Sequence, residues 1–120
     1  MVAPAAGAVV LVRFPFSDLS QSKLRPAVVL ADAGRGDRIL CQVTSKAYGD
    51  ATAVQLEQSA MASGSLRVTS YARPGKLFTA SCDLIASEVA VLRPEALKRV
   101  VDAVVDRLRS GTSAPSLPAI

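Results

Sequence analysis

Short apolar runs separated by polar or glycine-containing segments dominate the first three quarters of the chain. Runs of about four to eight residues rich in Val, Ile and Leu are typical of β-strands. A Ser/Asp/Gln-rich loop follows the first run, and a turn with two glycines at residues 32–37 joins the second run to the third as a hairpin. The pattern predicts strands at residues 8–14, 26–31, 38–45, 54–56 and 87–92, shorter extended segments at 65–73 and 76–81, and loops at 46–52 and 58–63.

The periodicity changes after residue 93 and predicts one helix. Pro94 suits the first helical turn, Glu95 complements the helix dipole there, and Gly111 ends the helix. One apolar face is predicted, because apolar residues recur at helical spacing. These residues are Leu97, Val100, Val101, Val104, Val105 and Leu108.

Many short strands followed by one amphipathic helix predict a mostly β (α+β) fold. We expect a small, strongly curved antiparallel sheet or barrel with the helix packed on it. Several strands are apolar on both faces, so both sides of the sheet should be covered. The length of 120 residues indicates a single domain, placed at residues 1–110, with a flexible tail at 111–120.

Charge and cysteine usage narrow the possible partners and chemistry. The net charge is +4, from 14 basic and 10 acidic residues, and favours an anionic partner such as nucleic acid or an acidic peptide. The absence of histidine excludes a histidine-based zinc site and a histidine general base. Cys41 and Cys82 lie in apolar surroundings and are interpreted as buried free thiols in a reducing compartment, rather than as a disulfide. The apolar N-terminus lacks a basic segment, so we expect a cytoplasmic protein with no membrane span.

Arg25 stands immediately before Pro26, at the threshold of the second strand. Proline restrains the preceding residue to an extended conformation, so the Arg25 backbone is fixed. A guanidinium held in this way suits bidentate binding of phosphate. The alternative is an ion pair with a nearby carboxylate, Asp18 or Asp32.

Thr44 and Ser45 end the third strand and are the next candidates. If the second and third strands form a hairpin, Arg25 and Thr44 both lie at its open end and can meet at one site. Hydroxyl groups at such positions can bind a ligand. They also commonly satisfy local backbone groups, and that alternative stays open.

A second Arg-Pro step occurs at Arg73 and Pro74, and Lys76 follows closely. The alternative interpretation is a turn with solvated charges. Basic side chains interleaved with aromatic ones suit single-stranded nucleic acid. Residues that would complete such a surface are Phe16, Lys23, Lys46 and Tyr48.

Three segments together resemble the PemK/MazF family of toxins from bacterial toxin–antitoxin modules: VVLVRFPFSDLSQSKLRPAVVLA, ILCQVTSK and RPGKLFTAS. Their order, their spacing and the final helix extend the resemblance over residues 7–109. It implies an SH3-like β-barrel that works as a homodimer. It also implies a sequence-selective endoribonuclease for single-stranded RNA that needs no metal or other cofactor. The implied protein partner is an antitoxin, and the toxin–antitoxin complex would bind operator DNA.

The resemblance also implies roles for individual residues. Arg25 and Thr44 match the catalytic pair of the family, and Arg73 matches a loop arginine that contacts substrate. The resemblance names no general base. Asp18 is the nearest acidic candidate in the sequence, and the alternative is that it only orients the loop. The implied RNA-binding residues are Phe16, Ser17, Asp18, Lys23, Ser45, Lys46, Arg73 and Lys76.

Two departures from the family leave other functions open. Ala8 stands where family members commonly carry an acidic residue, and Gly75 stands where some members do. If either acid supports catalysis or positions an arginine, we expect slower cleavage or an altered specificity in this chain. The first alternative is a non-catalytic regulator of the same fold that binds nucleic acid. The second is a toxin directed at gyrase, which the presence of both Arg25 and Thr44 argues against, although fold alone does not fix function.

Overall fold

Seven antiparallel strands and one helix form the part of the chain that the computed structural model describes, which comprises residues 3–14, 23–46 and 49–111. In that part the strands make one sheet in the order β4-β6-β3-β2-β1-β7-β5. The predicted strands at 8–14 and 54–56 are confirmed in full. The elements are β1 (Ala8–Phe14), β2 (Lys23–Gly34), β3 (Asp37–Thr44), β4 (Val54–Leu56), β5 (Met61–Gly64), β6 (Ser70–Ser81), β7 (Ile85–Leu92) and α1 (Pro94–Gly111), with short 3-10 helices at Gln58–Ala60 and Cys82–Leu84.

The predicted hairpin joins β2 to β3. Its turn contains Gly34, Arg35 and Gly36, whose φ angles are 86°, 54° and 79°. Glycine adopts these left-handed angles without strain, which explains the two glycines of the turn. The register brings Ala27 opposite Gln42 and leaves the start of β2 and the end of β3 at the open end, as the sequence predicts.

Both faces of the sheet are apolar, as predicted. On one face Val28, Cys41 and Val43 belong to a cluster that also contains the helix residues Ala96 and Val100. On the other face a second cluster forms around Leu40, a neighbour of Cys41 in β3. Successive strand residues point to opposite faces, so each strand contributes to both clusters. The second cluster comprises Ala8, Val10, Val12, Ala27, Val29, Leu40 and Ala80, with Phe78 and Ile85 packed against it.

The helix buries less of its apolar face than its pattern predicts. Its buried residues are Ala96, Val100 and Val104, whereas Leu108 is 56% exposed and Val105 is 36% exposed. The helix contacts mainly β6 and β4. The buried stripe is therefore narrower than the predicted face and includes an alanine that the pattern did not single out. Apart from Gly111, the predicted tail lies outside the described residues.

Two segments differ from the sequence-based prediction. The predicted loop at 58–63 contains a 3-10 helix and most of β5, because Met61 is buried and pairs with Leu92 of β7. The predicted strand at 65–73 begins only at Ser70, because Arg67 has a φ of 68° and its amide donates to the Ser65 hydroxyl. The segments that we expected at 65–73 and 76–81 are thus joined into one long strand, β6.

No helix in the described part of the chain is long and apolar enough to cross a membrane.

Candidate functional site

A cavity of about 640 Å³ opens on the face of the sheet opposite the helix. Apolar side chains of the second cluster, such as Val12 and Ala80, form part of its wall. Three cationic side chains line it, and none of the described lining residues is acidic. An open cavity with apolar walls and a few convergent charged groups is the usual form of a ligand site. Its lining residues are Val12, Arg25, Gln42, Arg73, Lys76, Leu77, Phe78, Thr79, Ala80 and Leu84.

Arg25 reaches the cavity because β2 begins earlier than predicted. It pairs with Val12 of β1 and lies two residues before Ala27, so it shares the face of the second cluster. Arg25 is exposed, and the buried part of β2 starts at Ala27, so burial does not oblige it to find a counter-ion. The proposed pairing with Asp32 is wrong, because Asp32 binds Arg38 with an Nη1–Oδ1 distance of 3.3 Å. Asp18 lies outside the described residues.

A bulge in β6 brings two further cations to the cavity. Ala72 pairs with Val43, and Leu77 pairs with Cys41. Between these two pairs β6 advances by five residues while β3 advances by two. The extra residues include Pro74, which has no N–H for the ladder. Bulges redirect side chains at sheet edges and near sites. The alternative interpretation of the second Arg-Pro step, a turn with solvated charges, is therefore wrong, because this segment is a bulge within a continuous strand.

Arg73 is held at this bulge by Asp50. The Arg73 Nε atom lies 3.4 Å from Asp50 Oδ2, and the two side chains are only 25% and 13% exposed. Asp50 Oδ1 accepts from the Thr52 hydroxyl at 2.7 Å and from the Thr52 amide at 3.0 Å. These two hydrogen bonds from Thr52 are the main cause that lowers the pKa of the Asp50 carboxyl below its usual value. The hydrogen bond and the positive charge of Arg73 contribute less in the same direction. The carboxylate and its ion pair therefore persist into mildly acidic solution.

Thr44 does not line the cavity with Arg25. It lies two residues beyond Gln42 on β3, on the same face, and pairs with Tyr71 of β6. Its Oγ1 atom accepts a hydrogen bond from the Lys46 amide at 3.2 Å, which is the local backbone contact that the sequence left open. The Thr44 hydroxyl donates to no acceptor among the described residues.

The other predicted RNA-binding residues divide into two groups. Lys23, Ser45 and Lys46 are exposed and do not line the cavity. Phe16, Ser17, Asp18 and Tyr48 lie outside the described residues.

Gln42 is a cavity residue that the sequence did not single out. Its two-residue offset from Thr44 was a usable signal, because alternation along a strand places both on one face. Its amide can both donate and accept hydrogen bonds, as recognition of a base edge requires.

The structure shows what surrounds Ala8 and Gly75, the two positions at which the sequence departs from the family pattern. Ala8 is 3% exposed and belongs to the second cluster, so a carboxylate there would be desolvated. A Cβ atom on Gly75 would lie 3.4 Å from the Arg107 guanidinium. An acidic residue at position 75 would thus meet a cation on the helix.

The two cysteines are free thiols, as predicted, but the predicted burial is wrong for Cys82, which is only half-buried at the start of a 3-10 helix. We therefore expect the two thiols to differ in reactivity. Cys41 is fully buried and its Sγ donates to the Arg73 carbonyl at 3.1 Å. Burial raises the pKa of Cys41 to about 12, so almost no thiolate exists at pH 8. Iodoacetamide at pH 8 should label the half-buried Cys82 and spare Cys41, as read by peptide mass mapping, with both labelled in guanidinium chloride. Equal labelling in the native protein would contradict the burial of Cys41.

No group of three or more Cys, Asp or Glu side chains close enough to hold a metal ion occurs within the described ranges.

Comparison with solved structures identifies the same fold in toxins of toxin–antitoxin modules. MazF of Deinococcus radiodurans matches with a TM-score of 0.72 at 23% identity, covering 91% of this chain and 99% of that one. The MazE–MazF complex from the same organism matches with a TM-score of 0.71 at 24% identity, covering 91% and 98%. An endoribonuclease in complex with its cognate antitoxin, from a mycobacterial species, matches with a TM-score of 0.69 at 16% identity, covering 100% of both chains.

No curated protein sequence matches the chain. The family model of PemK-like, MazF-like toxins of type II toxin–antitoxin systems matches residues 5–108, almost the whole of the sheet and helix described above. The predicted family and the predicted fold of a curled antiparallel sheet with one C-terminal helix are thereby confirmed. The chain belongs to the PemK-like, MazF-like toxin family of type II toxin–antitoxin systems.

Proposed function

We propose that this toxin is a sequence-selective, metal-independent endoribonuclease that cuts single-stranded RNA. The observation that carries the proposal is the convergence of Arg25, Arg73 and Lys76 on one open cavity without a described carboxylate in its wall. Such a cavity suits a phosphodiester backbone, and its apolar wall and Gln42 suit unstacked bases. Solved relatives that include an endoribonuclease support the same assignment.

The proposed reaction uses the RNA's own 2′-hydroxyl as nucleophile. The 2′-oxygen bonds to the adjacent phosphorus as the bond from phosphorus to the 5′-oxygen breaks, which yields a 2′,3′-cyclic phosphate and a 5′-hydroxyl. The 2′-hydroxyl gives up its proton to water, and the leaving 5′-oxygen takes a proton from water. The Arg25 guanidinium hydrogen-bonds to the phosphate oxygens that gain negative charge. The Thr44 hydroxyl, two residues beyond the cavity residue Gln42 on the same face of the sheet, hydrogen-bonds to one of them from the edge of the cavity. Arg73 and Lys76 hold the flanking backbone so that attack occurs in line.

The direct test is incubation of the purified protein with a long single-stranded RNA in EDTA, followed by mapping of the ends. Discrete cuts with 5′-hydroxyl and cyclic phosphate ends are expected, and the sequences at the cuts give the recognised motif. Ends that appear only when a divalent cation is restored would contradict metal independence. RNA that stays intact with and without cations would contradict the enzyme assignment.

The proposed protein partner is a cognate antitoxin whose acidic, apolar segment covers the cationic cavity. Solved relatives bound to antitoxins support this. The free toxin is proposed to be a homodimer in the cytoplasm, and the toxin–antitoxin complex is proposed to bind operator DNA. We expect a co-expressed acidic protein to copurify with the toxin and to restore growth of cells that express it. Normal growth of cells that express the toxin alone, at verified levels, would contradict toxicity.

A non-catalytic nucleic-acid-binding regulator is the second candidate, favoured by two features of the site. Thr44 does not line the cavity, and none of its described lining residues can act as a carboxylate general base. Binding of the same RNA at matched protein concentration without any cleavage would favour this candidate.

A further inference from the structure

We propose that Asp50 is a positioning residue that orients Arg73 toward the RNA phosphate. The inference rests on the proposed function, because it assigns a task to a residue beside the same cavity. Asp50 itself does not line the cavity, whereas Arg73 does. Asp50 would therefore act through Arg73 rather than on RNA directly.

Asp50 binds the Nε edge of the Arg73 guanidinium and leaves the edge with the two Nη atoms open. Asp50 Oδ2 takes the Nε atom of Arg73, and neither Nη atom of Arg73 has a partner among the described residues. Bidentate binding of phosphate needs two N–H groups in the fork of donors. A guanidinium tied at Nε keeps its two Nη groups for that purpose and loses fewer rotamers on binding RNA.

Asp50 is itself held by Thr52, which in turn contacts the helix. Its Oδ1 atom accepts both hydrogen bonds from Thr52, and the Thr52 Oγ1 atom accepts from Arg107 Nη1 of the helix at 3.2 Å. The same Arg107 guanidinium covers Gly75 in the bulge of β6, so helix, loop and bulge meet around one chain of contacts. These contacts connect Arg107, Thr52, Asp50 and Arg73 in that order, and of the four only Arg73 lines the cavity.

If only net charge matters, removing the Asp50 carboxylate should strengthen RNA binding, which is the opposite of what positioning predicts. A carboxylate near a phosphate-binding cavity repels RNA, so its removal should tighten binding if charge is all that matters. Positioning predicts weaker binding when the carboxylate is removed, despite the added positive charge. The two explanations therefore differ in the sign of the change.

The first experiment measures binding and cleavage with Asp50→Asn. The probe for binding is a fluorescent 2′-O-methyl RNA spanning the mapped cut site, which cannot supply the attacking hydroxyl. We expect Kd to rise about fivefold to tenfold, as for loss of one charge-assisted hydrogen bond. The matched control is Asp102→Asn, which makes the same charge change on the exposed helix face and breaks the Lys98–Asp102 pair. Asp102→Asn should leave Kd unchanged or slightly lower.

A double-mutant cycle separates positioning from loss of stability. In an Arg73→Ala background, Asp50→Asn should have no further effect on Kd, because the group it orients is gone. The free energy of unfolding is measured for all four proteins by urea titration. Tighter RNA binding by Asp50→Asn, or an undiminished effect in the Arg73→Ala background, would overturn the proposal.

A second measurement needs no RNA and keeps the inference distinct from the proposed function. The Arg73 Nε–H group of the free protein is followed by 15N NMR, with assignment by its loss in Arg73→Lys. Positioning predicts a restricted Nε–H in the wild-type protein and a mobile, rapidly exchanging one in Asp50→Asn. An Nε–H signal that Asp50→Asn leaves unchanged would overturn the inference, whereas a changed signal in a protein that neither binds nor cuts RNA would overturn only the proposed function.

Discussion

Arg25→Ala is expected to lower kcat/KM for RNA cleavage about 10²- to 10³-fold, the cost typical of removing one preorganised donor to developing negative charge. The physical reason is that the Arg25 guanidinium has no partner among the described residues, so its donors are available to a phosphate. It is also exposed at the start of β2, where truncation leaves no cavity in either apolar cluster. Activity should fall while the free energy of unfolding stays within about 0.5 kcal/mol of wild type.

Single-turnover cleavage of one mapped site and urea titration together check this expectation. Arg25→Lys retains the charge but loses the planar fork, so its rate should recover only partly. Arg99→Ala is the matched control, because it removes the same charge from an exposed helix position that does not line the cavity. Equal losses in Arg25→Ala and Arg99→Ala would show that net charge, rather than a placed guanidinium, governs the reaction.

The sheet was largely predictable because the central strands have strongly apolar sequences that indicate strands without any knowledge of their neighbours. The apolar runs around Val10, Val28 and Cys41 have two buried faces, and the Gly34–Gly36 turn fixes the pairing of β2 with β3. β5 was missed because its sequence, Met-Ala-Ser-Gly, has little strand propensity. It is a strand only because β7 pairs with it, which no local pattern reveals.

The site was predictable only where local geometry determines it. Pro26 constrains Arg25, and strand alternation places Arg25 on the cavity face. Arg73 and Lys76 meet it through a bulge whose size depends on how β6 pairs with β3, a tertiary property. Thr44 shows the limit of the hairpin argument, because residues at one end of a hairpin share an edge without lining the same cavity.

Gly64→Ala is expected to cause the largest loss of stability of any change considered, about 3–5 kcal/mol from left-handed strain and overpacking together. Gly64 ends β5 with a φ of 76° and pairs with Ala90 of β7. An added Cβ would overlap the Val89 carbonyl oxygen and would lie 2.6 Å from Ala90 Cα, and both are backbone atoms that cannot rotate away. Relief of the contact requires the two strands to separate.

Gly36→Ala separates the two causes of this loss. Gly36 also has a positive φ, 79°, but no heavy atom of a described residue, its two chain neighbours apart, lies within 4 Å of the position its Cβ would occupy. It should therefore lose only about 1–2 kcal/mol, the cost of left-handed backbone alone. Urea titration of both variants gives the difference, and hydrogen exchange at the amides of β5 and β7 shows where it acts. Equal losses of unfolding free energy in the two variants would mean that the cost of alanine at position 64 comes from backbone strain rather than from the close contact between strands. A larger loss of unfolding free energy in Gly64→Ala than in Gly36→Ala, with hydrogen exchange fastest at β7, would show that β5 and β7 can pair this closely only because residue 64 is a glycine.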